Sequence, residues 1–321
     1  MRILVTGGAG FIGSHVAALL LTAGHEVAIV DDLSTGHPSN VPAGAHFYAC
    51  DIRDSRLESV FADFRPEIVS HHAAQMSVRV SIQQPRFDAA VNVEGSVHLL
   101  ECALKARTRK IIYASTGGAV YGEPRYLPCD EAHPVAPLCH YGISKHTVEH
   151  YLELYAHLYG LDYTVLRYPN VYGPRQDPEG EAGVVAIFAR RMLRNLPVTI
   201  YGDGQQERDF VAVADVARAT LPSLDRGSRA IINIGSGTGT SVRDIFEHLA
   251  QITGYDRQAE HGPARLGEVY RIYLSGQRAR TLLDWSPSVT LRSGLAETVD
   301  WIRQRQTLEG RNRTLQAVAG A

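Results

Sequence analysis

Lysine is nearly missing from this chain. Of its 321 residues 32 are Lys or Arg, yet only Lys105, Lys110 and Lys145 are lysines, so arginine carries almost all the positive charge. The formal net charge is −2, which gives no strong field of either sign and argues against nucleic acid or a membrane surface as partner. Cysteine is sparse too. Cys50, Cys102, Cys129 and Cys139 show no Cys-x-x-Cys spacing and no histidines at zinc-ligand intervals. They read as free thiols in a reducing compartment, and no metal site is expected. Long apolar runs are also lacking: Leu19-Leu20-Leu21 is too short to cross a bilayer and fits an amphipathic helix. The first residues run into a glycine cluster with no cleavable signal, so a cytoplasmic location is expected. The adjacent His71 and His72 point to opposite faces of a strand and have no third ligand in the sequence.

The apolar runs that are present are short and regularly spaced. Residues 2–5, 26–30, 46–49, 67–71, 110–114, 162–167 and 230–234 read as strands. Helical spacing over 11–23, 55–64, 87–106 and 141–159 fills four of the five gaps between the first six of them. That alternation predicts an α/β protein with a doubly wound, Rossmann-type parallel sheet. After Arg167 the rhythm breaks into a Pro- and Gly-rich passage and then a helix near 184–195. The expected division is a dinucleotide-binding domain over 1–168, rejoined by the strand near 230–234, a smaller α/β substrate-binding region over 169–308, and a loose tail over 309–321.

Gly7-Gly8-Ala9-Gly10-Phe11-Ile12-Gly13 falls between the first strand and the first helix. Gly7, Gly10 and Gly13 there allow a tight turn, close approach to a pyrophosphate and close helix packing, and the helix N-terminus offers an anion site. Asp31 and Asp32 end the next strand at the distance expected for a ribose diol. A carboxylate at Asp31 accepts from a 2′-hydroxyl but repels a 2′-phosphate, so NAD is favoured over NADP. Asp51-Ile52, after the third strand, is read either as an adenine contact or as a helix cap.

One of the rare lysines lies four residues after a tyrosine, in Tyr141-Gly142-Ile143-Ser144-Lys145. On a helix the two side chains share a face. An ammonium near a phenol favours phenolate, which makes the tyrosine a usable base near neutral pH.

With these segments stand Asn92-Val93-Glu94-Gly95-Ser96, Ser115-Thr116-Gly117-Gly118-Ala119-Val120-Tyr121-Gly122, Arg167-Tyr168-Pro169-Asn170-Val171-Tyr172-Gly173-Pro174-Arg175, Arg208-Asp209-Phe210-Val211 and Arg265-Leu266-Gly267-Glu268. On this set the chain resembles the extended short-chain dehydrogenases/reductases, and among them the UDP-glucose (UDP-galactose) 4-epimerases. The resemblance implies a redox-neutral cycle on a tightly held NAD. Tyr141 as phenolate would take the proton of the sugar 4-hydroxyl, giving a transient 4-keto sugar that is reduced on its other face. Lys145 would hold the nicotinamide ribose and lower the Tyr141 pKa. Asn92 joins the cofactor contacts Gly7, Gly10, Phe11, Ile12, Gly13, Asp31, Asp32, Asp51 and Ile52. Tyr168, Pro169 and Asn170 would meet cofactor and substrate diphosphate. Arg208 and Arg265 would clamp the UDP diphosphate, and Glu268 would accept from the uridine ribose. A homodimer is implied through helices 92–106 and 141–159, with Val93, Val97, Leu100, Leu104, Val148, Leu152, Tyr155 and Tyr159 as the seam or, alternatively, as cover for the sheet.

The chain departs from this family pattern in two places. Where relatives carry a hydroxyl residue three places before Val120 it has Gly117, so the role of bonding sugar and tyrosine is assigned to Thr116. Near Met76 some relatives carry a phosphate-binding lysine that is absent here. Gly118 and Ala119 stand where a nucleotide-sugar 4,6-dehydratase needs Asp and Glu, which disfavours dehydration. Ile272, at the place of a restrictive tyrosine, leaves UDP-N-acetylhexosamines open as substrates. A non-catalytic NAD-binding sensor is the alternative from another class.

Overall fold

Seven short aliphatic runs lie side by side in one parallel sheet. The computed structural model describes residues 1–178, 183–264 and 269–319, with side chains as far as Thr307. The first six strands are β1 (Arg2–Thr6), β2 (Glu26–Asp31), β3 (His46–Ala49), β4 (Ile68–His71), β5 (Lys110–Thr116) and β6 (Asp162–Tyr168). Their order across the sheet is β3, β2, β1, β4, β5, β6, followed by the strand Ala230–Asn233, which pairs with β6 through Ile231↔Val165 and Asn233↔Arg167. The chain reverses its direction of winding between β1 and β4, where Thr6 lies opposite His71. In such sheets ligands bind beyond the C-terminal strand ends at that switch point.

Strand periodicity explains why the runs are apolar throughout. Ile3 and Val5 face a core shared with Val16 and Leu20, while Leu4 between them faces another shared with Leu99 and Val148. Helices cover both faces: Phe11–Thr22 on the first, and Gly95–Lys105 with His140–Tyr159 on the second.

The helix expected over 87–106 is three pieces. The helix Pro85–Ala89 passes through a π-helical turn, Ala90–Glu94, into the helix Gly95–Lys105. Beyond β6 a smaller α/β region forms from short pairs: Asn170–Tyr172 with Phe210–Ala212, Thr199–Tyr201 with Glu260–Gly262, and Glu207–Arg208 between Thr240–Ser241 and Arg271–Ile272. Its own core includes Phe188, Met192, Ile245, Leu249, Leu295 and Val299. The final helix is continuous over Leu291–Ala319, including most of the segment expected to be a tail.

Candidate active site

The glycine turn after β1 is held by the Gly7 amide, which donates to the Val30 carbonyl at 2.8 Å. Gly7 has φ +67°, and a Cβ on Gly13 would lie 2.2 Å from the Gly7 carbonyl oxygen, so neither position accepts a side chain. The helix that follows begins at Phe11 and Ile12, with Gly10 before it and no side-chain cap. Its first amides therefore face the switch point without an intrahelical acceptor.

Asp31 lies beside this turn at 7% exposure and accepts from the Ala9 and Leu33 amides, each at 2.9 Å. Burial raises its pKa, and the two backbone bonds oppose that shift. Asp32 is exposed and accepts from the Ser34 amide and hydroxyl. Ile52 is buried. Asp51 does not cap the next helix: its carboxylate takes the Arg53 amide at 2.8 Å and the Arg53 guanidinium, while Asp54 accepts from the Arg56 amide.

The strand end of β5 carries Thr116, and the helix His140–Tyr159 lays Tyr141 and Lys145 against it. The Thr116 side chain is near enough to the Tyr141 phenol to act on its proton affinity. Lys145 is 3% exposed, donates to the Ala114 carbonyl at 2.8 Å, and stands 4.7 Å from the centre of the Tyr113 ring. Burial pulls its ammonium down to about 7 against the opposing pull of Asp88 and Glu149. The phenol of Tyr141 moves upward instead: burial dominates, Cys139 and Asp88 add to it, and the Thr116 side chain works the other way. The sequence leads one to expect a tyrosine lowered by its lysine. In the folded chain the phenol is raised, by loss of water first and by the charges of Cys139 and Asp88 after it.

Gly117 cannot supply the hydroxyl found in relatives, because a Cβ there would lie 2.3 Å from Leu274 Cδ1. Ile272 is 2% exposed and packs with Val120, Tyr121, Cys129 and Leu274, so its side chain belongs to that small core.

Further buried polar residues surround the site, and of these Glu149 carries no signature in the sequence. Arg167 donates through Nε to Glu149 Oε1 at 2.9 Å and through Nη1 to the Tyr121 hydroxyl at 2.9 Å, and Ser115 donates to the same Glu149 oxygen at 2.6 Å. Burial alone would raise the Glu149 carboxyl, but the bonds from Arg167 and His146 outweigh it and hold the group at about 2. Asn92 sits in the π-turn at 2% exposure. Its Nδ2 lies 2.9 Å from the Gln75 carbonyl and 3.1 Å from both Asp88 Oδ1 and Ser144 Oγ, and its Oδ1 accepts from the Gln75 amide. His71 is enclosed between the hydroxyls of Thr6 and Ser96, at 2.7 and 2.9 Å. His72 lies flat against Tyr168, with ring centres 6.3 Å apart.

On the side of the smaller region, Asn170 donates its amide to the Asp209 carbonyl at 3.0 Å, and a Cβ on Gly118 would lie 3.7 Å from Asn170 Oδ1. Arg208 donates to the Glu207 and Tyr270 carbonyls at 2.9 and 3.2 Å. Asp209 is 1% exposed and accepts from the Ser236 hydroxyl at 2.6 Å and the Leu274 amide at 3.1 Å; burial pushes its carboxyl up to about 6. Arg265 and Glu268 lie outside the described residues.

The two long helices divide their apolar residues. Leu100, Val148 and Leu152 face the sheet, with Leu104 and Tyr155 packed on the same core. Val93 and Val97 instead line an open hollow with Ala89, Ala90 and Tyr151, and Tyr159 is exposed. Among the described residues no cluster of three His, Cys, Asp or Glu side chains is arranged to hold a metal, and no helix is long and apolar enough to cross a membrane.

The NAD dependent epimerase/dehydratase family matches residues 3–235. The chain is 44% identical over 311 residues to the UDP-glucose 4-epimerase of Mycolicibacterium smegmatis, covering 95% of this chain and 99% of that one. It superposes with a TM-score of 0.94 and 49% identity on the UDP-glucose 4-epimerase of Thermotoga maritima solved with UDP-glucose, over 95% of this chain and 100% of the other. For the UDP-glucose 4-epimerase of Thermus thermophilus in complex with NAD the TM-score is 0.90 and the identity 46%, over 94% and 99% of the two chains.

Proposed function

The chain belongs to the NAD dependent epimerase/dehydratase family, and from that premise we infer that it is a UDP-glucose 4-epimerase, interconverting UDP-glucose and UDP-galactose on a retained NAD. The observation that carries the reading is the meeting of Thr116, Tyr141 and Lys145 at the C-terminal end of β5, beside the switch point of the sheet.

The residues fit NAD. Gly7 and Gly13 let the turn close on backbone that any Cβ would strike, the uncapped helix N-terminus beside it offers free amides to a pyrophosphate, and Asp31 would accept from a ribose diol. Gly10, Phe11, Ile12, Asp32, Asp51, Ile52, Asn92, Lys145 and Tyr168 complete the proposed cofactor contacts. When bound, NAD supplies the acceptor and donor of the sugar C4 hydride.

The chain's own part is proton transfer and grip. Tyr141 takes the proton of the 4-hydroxyl at its phenol oxygen, and the transient 4-keto sugar then presents its other face and receives the proton back from the same atom. Because burial opposes a phenolate, that base depends on a positive charge beside it, and Lys145 supplies one only while protonated. Thr116 holds the phenol and the sugar hydroxyl in line. Asn170, Arg208, Arg265 and Glu268 hold the nucleotide, the arginines by the fork of donors that suits a diphosphate. Residues 1–168 thus form mainly the cofactor half and 169–308 mainly the substrate half. A homodimer closing over Val93, Val97 and Tyr151 and a cytoplasmic location complete the reading.

Purified protein incubated with UDP-galactose and no added cofactor should yield UDP-glucose. Folded, NAD-loaded protein that leaves UDP-galactose untouched would instead favour the sensor.

A further inference from the structure

Lys145 sits in a dry place, and the groups that face it are few. On its own helix they are Tyr141 and Glu149; β5 contributes Tyr113; the end of β4 contributes His71 and His72, whose imidazoles burial keeps neutral; the helix Pro85–Ala89 contributes Asp88. Two of these are carboxylates, and they differ in what else they bind. Glu149 already has a cation, since Arg167 grips both of its oxygens. Asp88 is 1% exposed and accepts at Oδ1 only from neutral amides, Gln75 Nε2 at 2.8 Å and Asn92 Nδ2 at 3.1 Å. Among the described residues it makes no ion pair. A buried carboxylate without a cation of its own is costly, and so is a buried ammonium; two such groups in one dry pocket offset each other.

Asp88 is also tied mechanically to the helix that carries the reacting groups. Asn92, which donates to Asp88, lies 3.1 Å from Ser144 Oγ, and Ser144 in turn donates to the Tyr141 carbonyl at 3.0 Å.

We propose that Asp88 is the counter-charge of Lys145, a positioning residue that keeps the lysine an ammonium in the dry site and, through Asn92 and Ser144, fixes the first turn of the His140–Tyr159 helix. Asp88 touches neither sugar nor cofactor in this role. The inference rests on Tyr141 and Lys145 being the acid/base pair, and its direction follows from charge. Without the Asp88 carboxylate Lys145 loses its proton at lower pH, so the Tyr141 phenolate loses its support on the alkaline side while activity at acid pH is spared.

The scarcity of lysine makes this directly measurable. Protein biosynthetically labelled with 13Cε-lysine has three signals, and that of Lys145 is assigned by its loss in Lys145→Met. In the NAD-loaded protein the Lys145 titration should move down by about one pH unit or more in Asp88→Asn, the size expected for loss of one nearby opposite charge. The alkaline limb of the kcat profile should move with it, so that kcat falls about fivefold or more at the pH of the wild-type midpoint and little two units below it. Asp88→Ser predicts the same shift, so one variant shown to be folded by circular dichroism suffices. A Lys145 titration that stays in place, or a kcat lowered by one factor at every pH, overturns the proposal. The NMR titration does not need turnover, so an inactive wild type would count against the epimerase reading and leave this one to be judged separately.

Discussion

Leu274 fills the space that a side chain at position 117 would need: a Cβ on Gly117 would lie 2.3 Å from its Cδ1, and Leu274 has no exposed surface into which it could withdraw. Glycine at 117 and leucine at 274 are therefore one choice rather than two. Restoring the hydroxyl with Gly117→Ser should destabilise the fold by about 1–3 kcal/mol through overpacking. Leu274→Ala should cost less in the Gly117→Ser background than alone, because it then removes a clash. Urea midpoints of the four proteins, at one NAD loading, measure this; additive costs would show that the two side chains do not compete.

Tyr141→Phe removes the atom that carries the proton, and kcat should fall by about 10²–10⁴, the contribution usual for a positioned acid or base. Thr116→Val removes the hydroxyl proposed to bond the phenol and the sugar and should cost about tenfold, the worth of one net hydrogen bond. Steady-state epimerisation of UDP-galactose separates them. Full activity in Thr116→Val would return the hydroxyl role to another group.

A methyl group at Gly13 has nowhere to go, lying 2.2 Å from the Gly7 carbonyl oxygen. Gly13→Ala should therefore be purified with little NAD, read from the absorbance ratio at about 260 and 280 nm and from release of nucleotide on denaturation, whereas the wild type retains it. Equal nucleotide content in the two would mean that the glycine turn is not the cofactor site.

The carboxyl of Glu149 is held at about 2, below its ordinary value of 4.5, so its contribution to stability is complete above the ordinary value and is lost as the pH falls toward the folded one. Glu149→Gln leaves the Arg167 guanidinium buried beside a neutral group and should cost about 3–5 kcal/mol at neutral pH. The gap between wild type and variant in urea melts should narrow as the pH drops below 4.5. A gap that stays constant from about pH 7 to about pH 3 would mean that the pair is not ionic.

Val97 belongs to the face that the sheet does not cover. Val97→Glu should convert a dimer into monomers in sedimentation equilibrium with the melting temperature of the monomer otherwise intact, since the charge enters water rather than the core. A wild type that is itself monomeric at micromolar concentration would rule out the seam.

The sheet was legible because each strand carries its own apolar run and each run is bounded by a turn; the strand Ala230–Asn233 was readable even though its partner β6 lies far back in the chain. The glycine turn and the Tyr141, Lys145 pair were legible because their chemistry depends on local spacing. Asp88 and Glu149 were not, nor was the role of Arg167 beyond its place in a family segment. Their meaning comes from partners 18 residues away, for Arg167 and Glu149, or from other elements, as for Asp88 and Lys145, and nothing in the local pattern separates them from surface charges. The apolar stripe on helices 92–106 and 141–159 was visible, but how it divides between sheet and solvent depends on the rotation of each helix. The direction of the Tyr141 shift depended on burial, which spacing does not report.

The π-turn Ala90–Glu94 accounts for part of that rotation and has a consequence of its own. It accommodates one residue beyond a regular turn, and a single residue corresponds to about 100° of helical rotation. Deleting one residue there would leave a sound α-helix on both sides, yet Asn92 and the sheet-facing Leu99 and Leu100 would no longer be aimed correctly at the same time. The segment thus works as a phase adjuster. One part of the helix is set by the pocket and the other by the core, and a count of residues reconciles the two.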